Sequence, residues 1–141
     1  MGTVAHLAEK IKEGLEQNHP KLRKTVIRKL APTIAAVIQP QTANTAMWAT
    51  VLPIETERAD MRLQWISRLL ANPLLDTKTI MEPYIKHQLS EAAKTGQIIL
   101  MMDQTDIDDR FAILMISISI GNRALPLIWT VEKGAANIGF D

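Results

Sequence analysis

The spacing of apolar residues changes once along this chain, near Gly96, and that change constrains the fold more than any other feature of the sequence. Before Gly96 the apolar residues recur every three or four positions, which is typical of amphipathic helices. After Gly96 they form short continuous or alternating runs, which are typical of β-strands. The sequence therefore predicts an α+β chain, with an all-helical region over residues 1–95 and a sheet over residues 96–141.

Five helices are expected in the first region. The fourth is the clearest, because Met61, Trp65 and Leu69 recur at a spacing of four residues and Asn72-Pro73 ends the pattern. Pro32 is expected to kink or break the second helix. The predicted helices are a first with Val4, Leu7, Ala8, Ile11 and Leu15 on one face, a second from Pro20, a third over Thr42–Leu52 with Thr42 as its N-terminal cap, a fourth over Glu55–Ala71 and a fifth over Asp76–Lys94.

Three strands are expected in the second region. Ile98–Met102 is continuously apolar, which predicts a strand that is buried on both faces at the centre of a sheet. Phe111–Ile120 forms a second strand, and Gly121-Asn122 predicts a tight hairpin turn into a third strand over Arg123–Val131. Pro126 lacks a backbone N–H and therefore places the third strand at an edge. The expected arrangement is an antiparallel meander with the first strand central.

The composition is that of a globular protein, with 47% hydrophobic and 22% charged residues. The sequence contains no cysteine, which excludes disulfides and thiolate metal sites and suits a reducing cytoplasm. The longest apolar stretch, Phe111–Ile120, has ten residues and is too short to span a bilayer. Residues Met1–Lys12 lack the apolar core of a secretory signal. We therefore expect a soluble cytoplasmic protein without a membrane partner.

Charge is distributed unevenly, although the formal net charge is only +1. Residues 1–95 hold 13 Lys or Arg and nine Asp or Glu, whereas residues 96–141 hold three and six. Five basic residues lie between Gln17 and Ile54 without any acidic residue, and three arginines lie on the fourth helix. Such clusters neutralise phosphates, so they predict DNA contacts, with ordinary solvated helix faces as the alternative. The candidate DNA-binding residues are Lys21, Arg23, Lys24, Arg28, Lys29, Arg58, Arg62 and Arg68.

An acidic cluster follows the first predicted strand. Asp103 comes directly after the apolar run, where a rigid strand would hold a carboxylate that suits Mg²⁺. Asp106, Asp108 and Asp109 lie between two strands, and aspartate in that position is typical of turns. The three histidines are far apart in sequence and lack the spacing of metal ligands. Asp103 is therefore the candidate for both catalysis and metal binding.

Several short motifs in the sequence are similar to those of a known family. In the second region these are Asp103-Gln104-Thr105 at the end of an apolar strand, Gly121-Asn122-Arg123-Ala124-Leu125-Pro126-Leu127-Ile128-Trp129 after the next strand, and Lys133-Gly134 with Asn137. Together they resemble the opening of the catalytic domain of DDE transposases of bacterial insertion sequences, in the group named after insertion sequence four. The helical segments Leu52-Pro53, Arg62-Leu63-Gln64, Arg68-Leu69-Leu70 and Asn72-Pro73 are similar, more loosely, to the N-terminal DNA-binding helices of that family. Gln104 departs from the family, which commonly has Arg or Thr there.

The resemblance implies a ribonuclease H-like catalytic domain, in which three antiparallel strands precede parallel strands and helices. It also implies that Asp103 is the first carboxylate of the catalytic triad. In the family, three carboxylates hold two Mg²⁺ (or Mn²⁺) ions, which cleave and transfer DNA strands at the transposon ends. The second Asp and the Glu of the triad would follow residue 141, and Asp141 comes too soon after the third strand to be one of them.

The expectation from the resemblance is thus a truncated transposase that binds the terminal repeats of a transposon and does not cleave DNA alone. Its catalytic segment would have an open sheet edge, which favours instability or a homodimer. Two alternatives remain open. One is a non-catalytic DNA-binding module that inhibits transposition, and the other is an unrelated ribonuclease H-like nuclease.

Overall fold

The computed structural model describes residues 2–135 and 138–139, and over these residues it contains five helices followed by a three-stranded antiparallel sheet. The predicted α+β class and the order of its elements are confirmed. The helices and strands are α1 (Thr3–Asn18), α2 (Lys24–Ile38), α3 (Thr45–Val51), α4 (Ala59–Leu70), α5 (Thr77–Ala93), β1 (Leu100–Ile107), β2 (Phe111–Ile120) and β3 (Arg123–Lys133).

The chain divides into two compact units between Asp76 and Thr77. The first unit contains α1 to α4, and the second contains α5 and the sheet. The change of periodicity at Gly96 marks the change from helix to strand. The division between units comes one helix earlier, because α5 packs against β3.

The helical unit is held together by two clusters of buried apolar side chains. The first joins α1 to α2 through Leu15, Ile27 and Ala31, of which Ile27 is only 1% exposed. The second joins α2, α3 and α4, and the half-buried Trp48 and Trp65 pack against it. Its buried members are Ala36, Ala49, Leu52 and Ile66. Burial of these apolar faces is the main source of stability for helices of this length.

α2 continues through Pro32 without interruption, so of the expected kink or break at this proline the break is wrong. A proline removes one backbone N–H from the helix and crowds the preceding turn. Here the adjoining Ala31, Ala35 and Ala36 are all fully buried, and their packing outweighs the cost of the proline. The Thr33 hydroxyl also donates a hydrogen bond to the Lys29 carbonyl at 3.0 Å.

The N-terminal ends of α3 and α4 differ from the prediction. Asn44, rather than Thr42, caps α3, and its side-chain oxygen accepts a hydrogen bond from the Ala46 N–H at 2.9 Å. Thr42 instead supports this turn, since its hydroxyl oxygen accepts from the Asn44 N–H at 3.2 Å. α4 begins at Ala59, four residues later than predicted, because extended backbone at Arg58 ends the preceding loop.

The sheet has the order β1-β2-β3. Ile120 pairs with Arg123 across the turn at Gly121-Asn122, which confirms the predicted hairpin. Gly121 has a φ of 59°, in the left-handed region that glycine adopts without strain. β3 lies at an edge, as Pro126 predicted, and the β2–β3 register shifts beside that proline, between Ile116 and Ser117.

The position of β1 in the sheet differs from the prediction. We expected this strand to be central and buried on both faces, but within the sheet β1 is an edge strand, and almost all of its residues are exposed. An apolar run shows that a strand can be buried; neighbouring elements decide whether it is. β1 also extends to Ile107, so Asp103 lies within the strand and not at its end.

Candidate nucleic-acid interface

Five of the predicted DNA-binding residues surround the start of α2. Lys21 lies in the turn before the helix, Arg23 is the residue at its N-cap, and Lys24 is its first residue. Arg28 and Lys29 follow one turn later. The buried Val26 and Ile27 anchor this turn to the helical core, so the basic side chains on either side of them project from a fixed backbone. We call these five residues the α2 basic surface.

All five side chains of the α2 basic surface are exposed. Within the described part of the chain, none of them forms a side-chain hydrogen bond or an ion pair. The first turn of α2 contains no acidic residue, and the partial positive charge of the helix N-terminus adds to that of the side chains. This surface can therefore attract a polyanion without first breaking internal ion pairs.

A groove between α1 and α2 brings a further lysine to the border of this surface. Lys12 and Glu9 of α1 line the groove together with Arg28 of α2. Glu9 and Lys12 form an ion pair at 3.2 Å, which partly neutralises both charges. Lys12 was not among the predicted residues, because only the packing of α1 against α2 brings it near Arg28.

The three arginines near α4 lie in different environments. Arg58 pairs with Asp60 at 2.7 Å on the exposed surface, so its charge is already partly matched. Arg68 is exposed in the last turn of the helix. Arg62 is half-buried and points towards the α3–α4 connection. They do not form a common cluster like that of the α2 basic surface.

The guanidinium of Arg62 binds the protein backbone. It donates to the carbonyl of Ala49 at 2.5 Å and that of Thr56 at 2.7 Å, and it also contacts the carbonyl of Leu52. Longer bonds at 3.4 Å reach Thr50 and Ile54. The cation thus satisfies the free carbonyls at the end of α3 and fixes the loop before α4. A DNA contact at Arg62 remains a prediction, but the atoms that would make it are engaged elsewhere.

Asp103 is exposed in the middle of β1, opposite Met115 of β2. Directly paired residues of an antiparallel sheet share one face, as do residues two apart on one strand. Asp103, Thr105 and Met115 therefore lie on the same face of the sheet. Asp106 lies on the opposite face, where its carboxylate accepts a hydrogen bond from the Gln104 side chain at 3.3 Å. The sheet therefore separates these two carboxylates.

The other aspartates of the cluster belong to the β1–β2 turn. Asp108 has a φ of 50°, which aspartate tolerates in tight turns, and its carboxylate lies 3.7 Å from the Arg110 guanidinium. No group of three His, Cys, Asp or Glu side chains among the described residues could hold a metal ion. Asp103 alone does not fit a site for two Mg²⁺ or Mn²⁺ ions, which needs several carboxylates.

His19 follows α1 and lies two residues before Lys21. Its side chain is buried, at 7% exposure, and burial lowers the pKa of the imidazole from its ordinary value of 6.5. Burial disfavours the charged form of the ring. His19 is therefore a buried residue that precedes the α2 basic surface in sequence and adds no positive charge to it at neutral pH.

Comparisons with known proteins leave the family open. No protein-family model matches the chain, and neither the curated proteins nor the solved structures include one that is similar to it. Among the described residues, no helix has the length and apolar character needed to cross a membrane.

Proposed function

We propose that this chain binds DNA through the α2 basic surface, as the DNA-binding part of a transposase of the insertion-sequence DDE type. The observation that supports the proposal is the concentration of five exposed basic side chains, without partners among the described residues, around one helix start. Lys and Arg in such an array neutralise successive backbone phosphates and release their counterions. The order of helices followed by an antiparallel meander is compatible with the N-terminal part of that family.

Phosphate contacts supply affinity, whereas base contacts supply selectivity. Arg68 is exposed and unpaired within the described part of the chain, and Gln64 lies one turn before it on α4. Arginine and glutamine are side chains that read guanine and adenine in the major groove. In this proposal α2 positions the duplex, and the exposed face of α4 supplies the selectivity for transposon ends. Arg58 contributes less, because Asp60 neutralises it.

The proposal can be tested with three charge-removing substitutions in the full chain, Arg23→Gln, Lys24→Gln and Arg28→Gln. Binding to a fluorescein-labelled duplex is followed by anisotropy at moderate salt. Loss of three phosphate contacts is expected to weaken binding by roughly tenfold or more. All three positions are exposed, so far-ultraviolet circular dichroism should remain unchanged.

A matched control removes three lysines outside the α2 basic surface, by Lys10→Gln, Lys86→Gln and Lys94→Gln. Lys86 and Lys94 already pair with Glu82 and Glu91. The control changes the net charge equally, so it separates a local site from general attraction. Equal loss of affinity in the two triple variants would contradict the proposal.

A non-catalytic DNA-binding module that competes with an intact transposase is the second candidate. It is favoured by the isolation of Asp103, whose carboxylate has no companion on its face of the sheet among the described residues. We expect no metal-dependent strand cleavage when this chain is incubated with transposon-end DNA and Mn²⁺. Cleavage that Asp103→Asn abolishes would exclude the second candidate and support a complete nuclease site.

A further inference from the structure

The outer edge of β1 carries backbone groups that the sheet does not use. The Ser119 N–H donates to the Ile99 carbonyl at 3.0 Å, which places the odd-numbered residues of this segment in the bonded positions towards β2. Bonded and non-bonded pairs alternate along an antiparallel ladder. The N–H and C=O groups of Leu100, Met102 and Gln104 therefore face away from β2, at the open edge.

The side chains along this edge are apolar and exposed. The exposed fractions of the five side chains from Ile98 to Met102 lie between 39% and 57%. This segment has no proline, lysine or glycine, and the β1–β2 register contains no bulge. Prolines, charges and bulges are the features that keep edge strands from pairing with other chains. The segment Ile98–Met102 lacks all of them.

The opposite edge of the sheet is protected. β3 contains Pro126, the register shift lies beside that residue, and Arg123, Glu132 and Lys133 place charges near its two ends. Pairing of β1 with β3 of another copy would also be head-to-tail and would continue into an open fibre. Pairing of β1 with β1 of another copy is self-complementary and stops at two chains. The contrast between the two edges therefore favours a closed dimer.

Charge also sets the direction and position of such pairing. Asp103 and Asp106 lie in β1 after the apolar segment Ile98–Met102, and Asp108 and Asp109 follow the strand directly. A parallel partner would place these carboxylates side by side. An antiparallel partner centred on Leu100–Met102 sends the two acidic ends in opposite directions and brings the apolar halves together.

We propose that a second copy of this chain pairs with the open edge of β1, antiparallel and centred on Leu100–Met102, to form a continuous six-stranded sheet across a twofold axis. The new backbone hydrogen bonds involve the outward groups of Leu100 and Met102 in both copies. The exposed apolar side chains of the two edges cover each other on both faces of the sheet. This dimer is independent of the α2 basic surface and of DNA.

The test is sedimentation equilibrium of the full chain over a range of concentrations, with Met102→Pro as the disrupting variant. Proline at this position removes an outward N–H and no hydrogen bond of the β1–β2 ladder. Each substitution acts twice in a twofold dimer, so the dimer dissociation constant is expected to rise at least about tenfold. The matched control is Val131→Pro, since alternation places the Val131 N–H at the outer edge of β3.

The wild-type chain is expected to sediment as a dimer that Met102→Pro weakens and Val131→Pro does not. A wild-type chain that is monomeric at every concentration would overturn the proposal, as would an equal effect of the two prolines. If circular dichroism shows that Met102→Pro is unfolded, variants with one introduced cysteine test the same pairing, because the chain has no cysteine of its own. Oxidation should then cross-link copies with Met101→Cys, because Met101 lies opposite itself across the proposed twofold axis. Cross-linking no greater than with Val131→Cys would overturn the proposal.

Discussion

At the scale of single residues, Arg62 shows why a basic side chain need not belong to a binding surface. The sequence places it four residues after Arg58 on a helix, as a DNA-binding arginine would be. Its guanidinium instead binds several carbonyl groups between α3 and α4. Sequence spacing identifies the face of a helix, but it does not show that a loop curls back to cover that face.

The role of Arg62 predicts a stability effect. Arg62→Lys keeps the charge but cannot reach several carbonyls at once, so we expect the free energy of unfolding to fall by about 2 kcal/mol. Urea denaturation measures this change. Arg68→Lys, at an exposed position of the same helix, should stay within about 0.5 kcal/mol of the wild type. Equal small effects of both substitutions would mean that the Arg62 contacts contribute little.

His19 makes the stability of the chain depend on pH. Burial lowers the pKa of His19 below its ordinary 6.5. Between the folded-state pKa and pH 6.5, the unfolded chain therefore binds a proton that the folded chain does not. The contribution of neutral His19 is complete above pH 6.5 and is lost as the pH falls towards the folded-state pKa. His19→Gln should therefore flatten the fall in urea midpoint below pH 6.5, whereas His6→Gln, at an exposed position of α1, should leave it unchanged.

At the scale of helices and strands, the Asn44 cap predicts a local effect on α3. The helix has only seven residues, and the Asn44 side chain satisfies one of its free N–H groups. Asn44→Ala should lower the free energy of unfolding by about 1 kcal/mol, and Asn44→Asp, which can still accept the hydrogen bond, should restore most of it. Thermal unfolding of the two variants tests this. A similar loss in both would show that the cap does not depend on the side-chain oxygen.

The kind of each element could be predicted from the sequence, but its environment could not. Helical spacing predicted α1 to α5, and the Gly121-Asn122 turn and Pro126 predicted the β2–β3 hairpin and its edge. These features depend on local backbone chemistry, which residues that are neighbours in sequence determine. The exposure of β1 and the continuity of α2 through Pro32 depend on which elements pack alongside, and a single sequence carries no direct signal for that.

The same distinction applies to the candidate sites. The α2 basic surface was predictable because its five residues are close in sequence and lie at one helix start. Asp103 was expected at the end of a strand and lies within one, and the absence of a companion carboxylate on its face among the described residues emerges only from the sheet register. The partner of Arg58 and the engagement of Arg62 likewise depend on tertiary structure.

At the scale of the whole molecule, the two units should differ in their ability to fold alone. Both clusters of buried side chains described above lie before Asp76, whereas the buried apolar residues of the sheet are Ala112, Ile118 and Leu127. A fragment of residues 2–76 is therefore expected to be helical by circular dichroism and to unfold cooperatively with urea. A fragment of residues 77–139 should lack a cooperative transition. The reverse result would show that the sheet carries the stability of the chain.

The most direct test of the account is the affinity of the full chain for duplex DNA across a salt series, comparing candidate terminal inverted repeats with random duplexes. Five phosphate contacts predict that the logarithm of the association constant falls linearly with the logarithm of salt concentration, with a slope of about −4.5. We also predict tighter binding to the terminal repeats. The absence of binding at low salt, or binding that does not change with salt, would contradict the assignment of the α2 basic surface as a DNA-binding site.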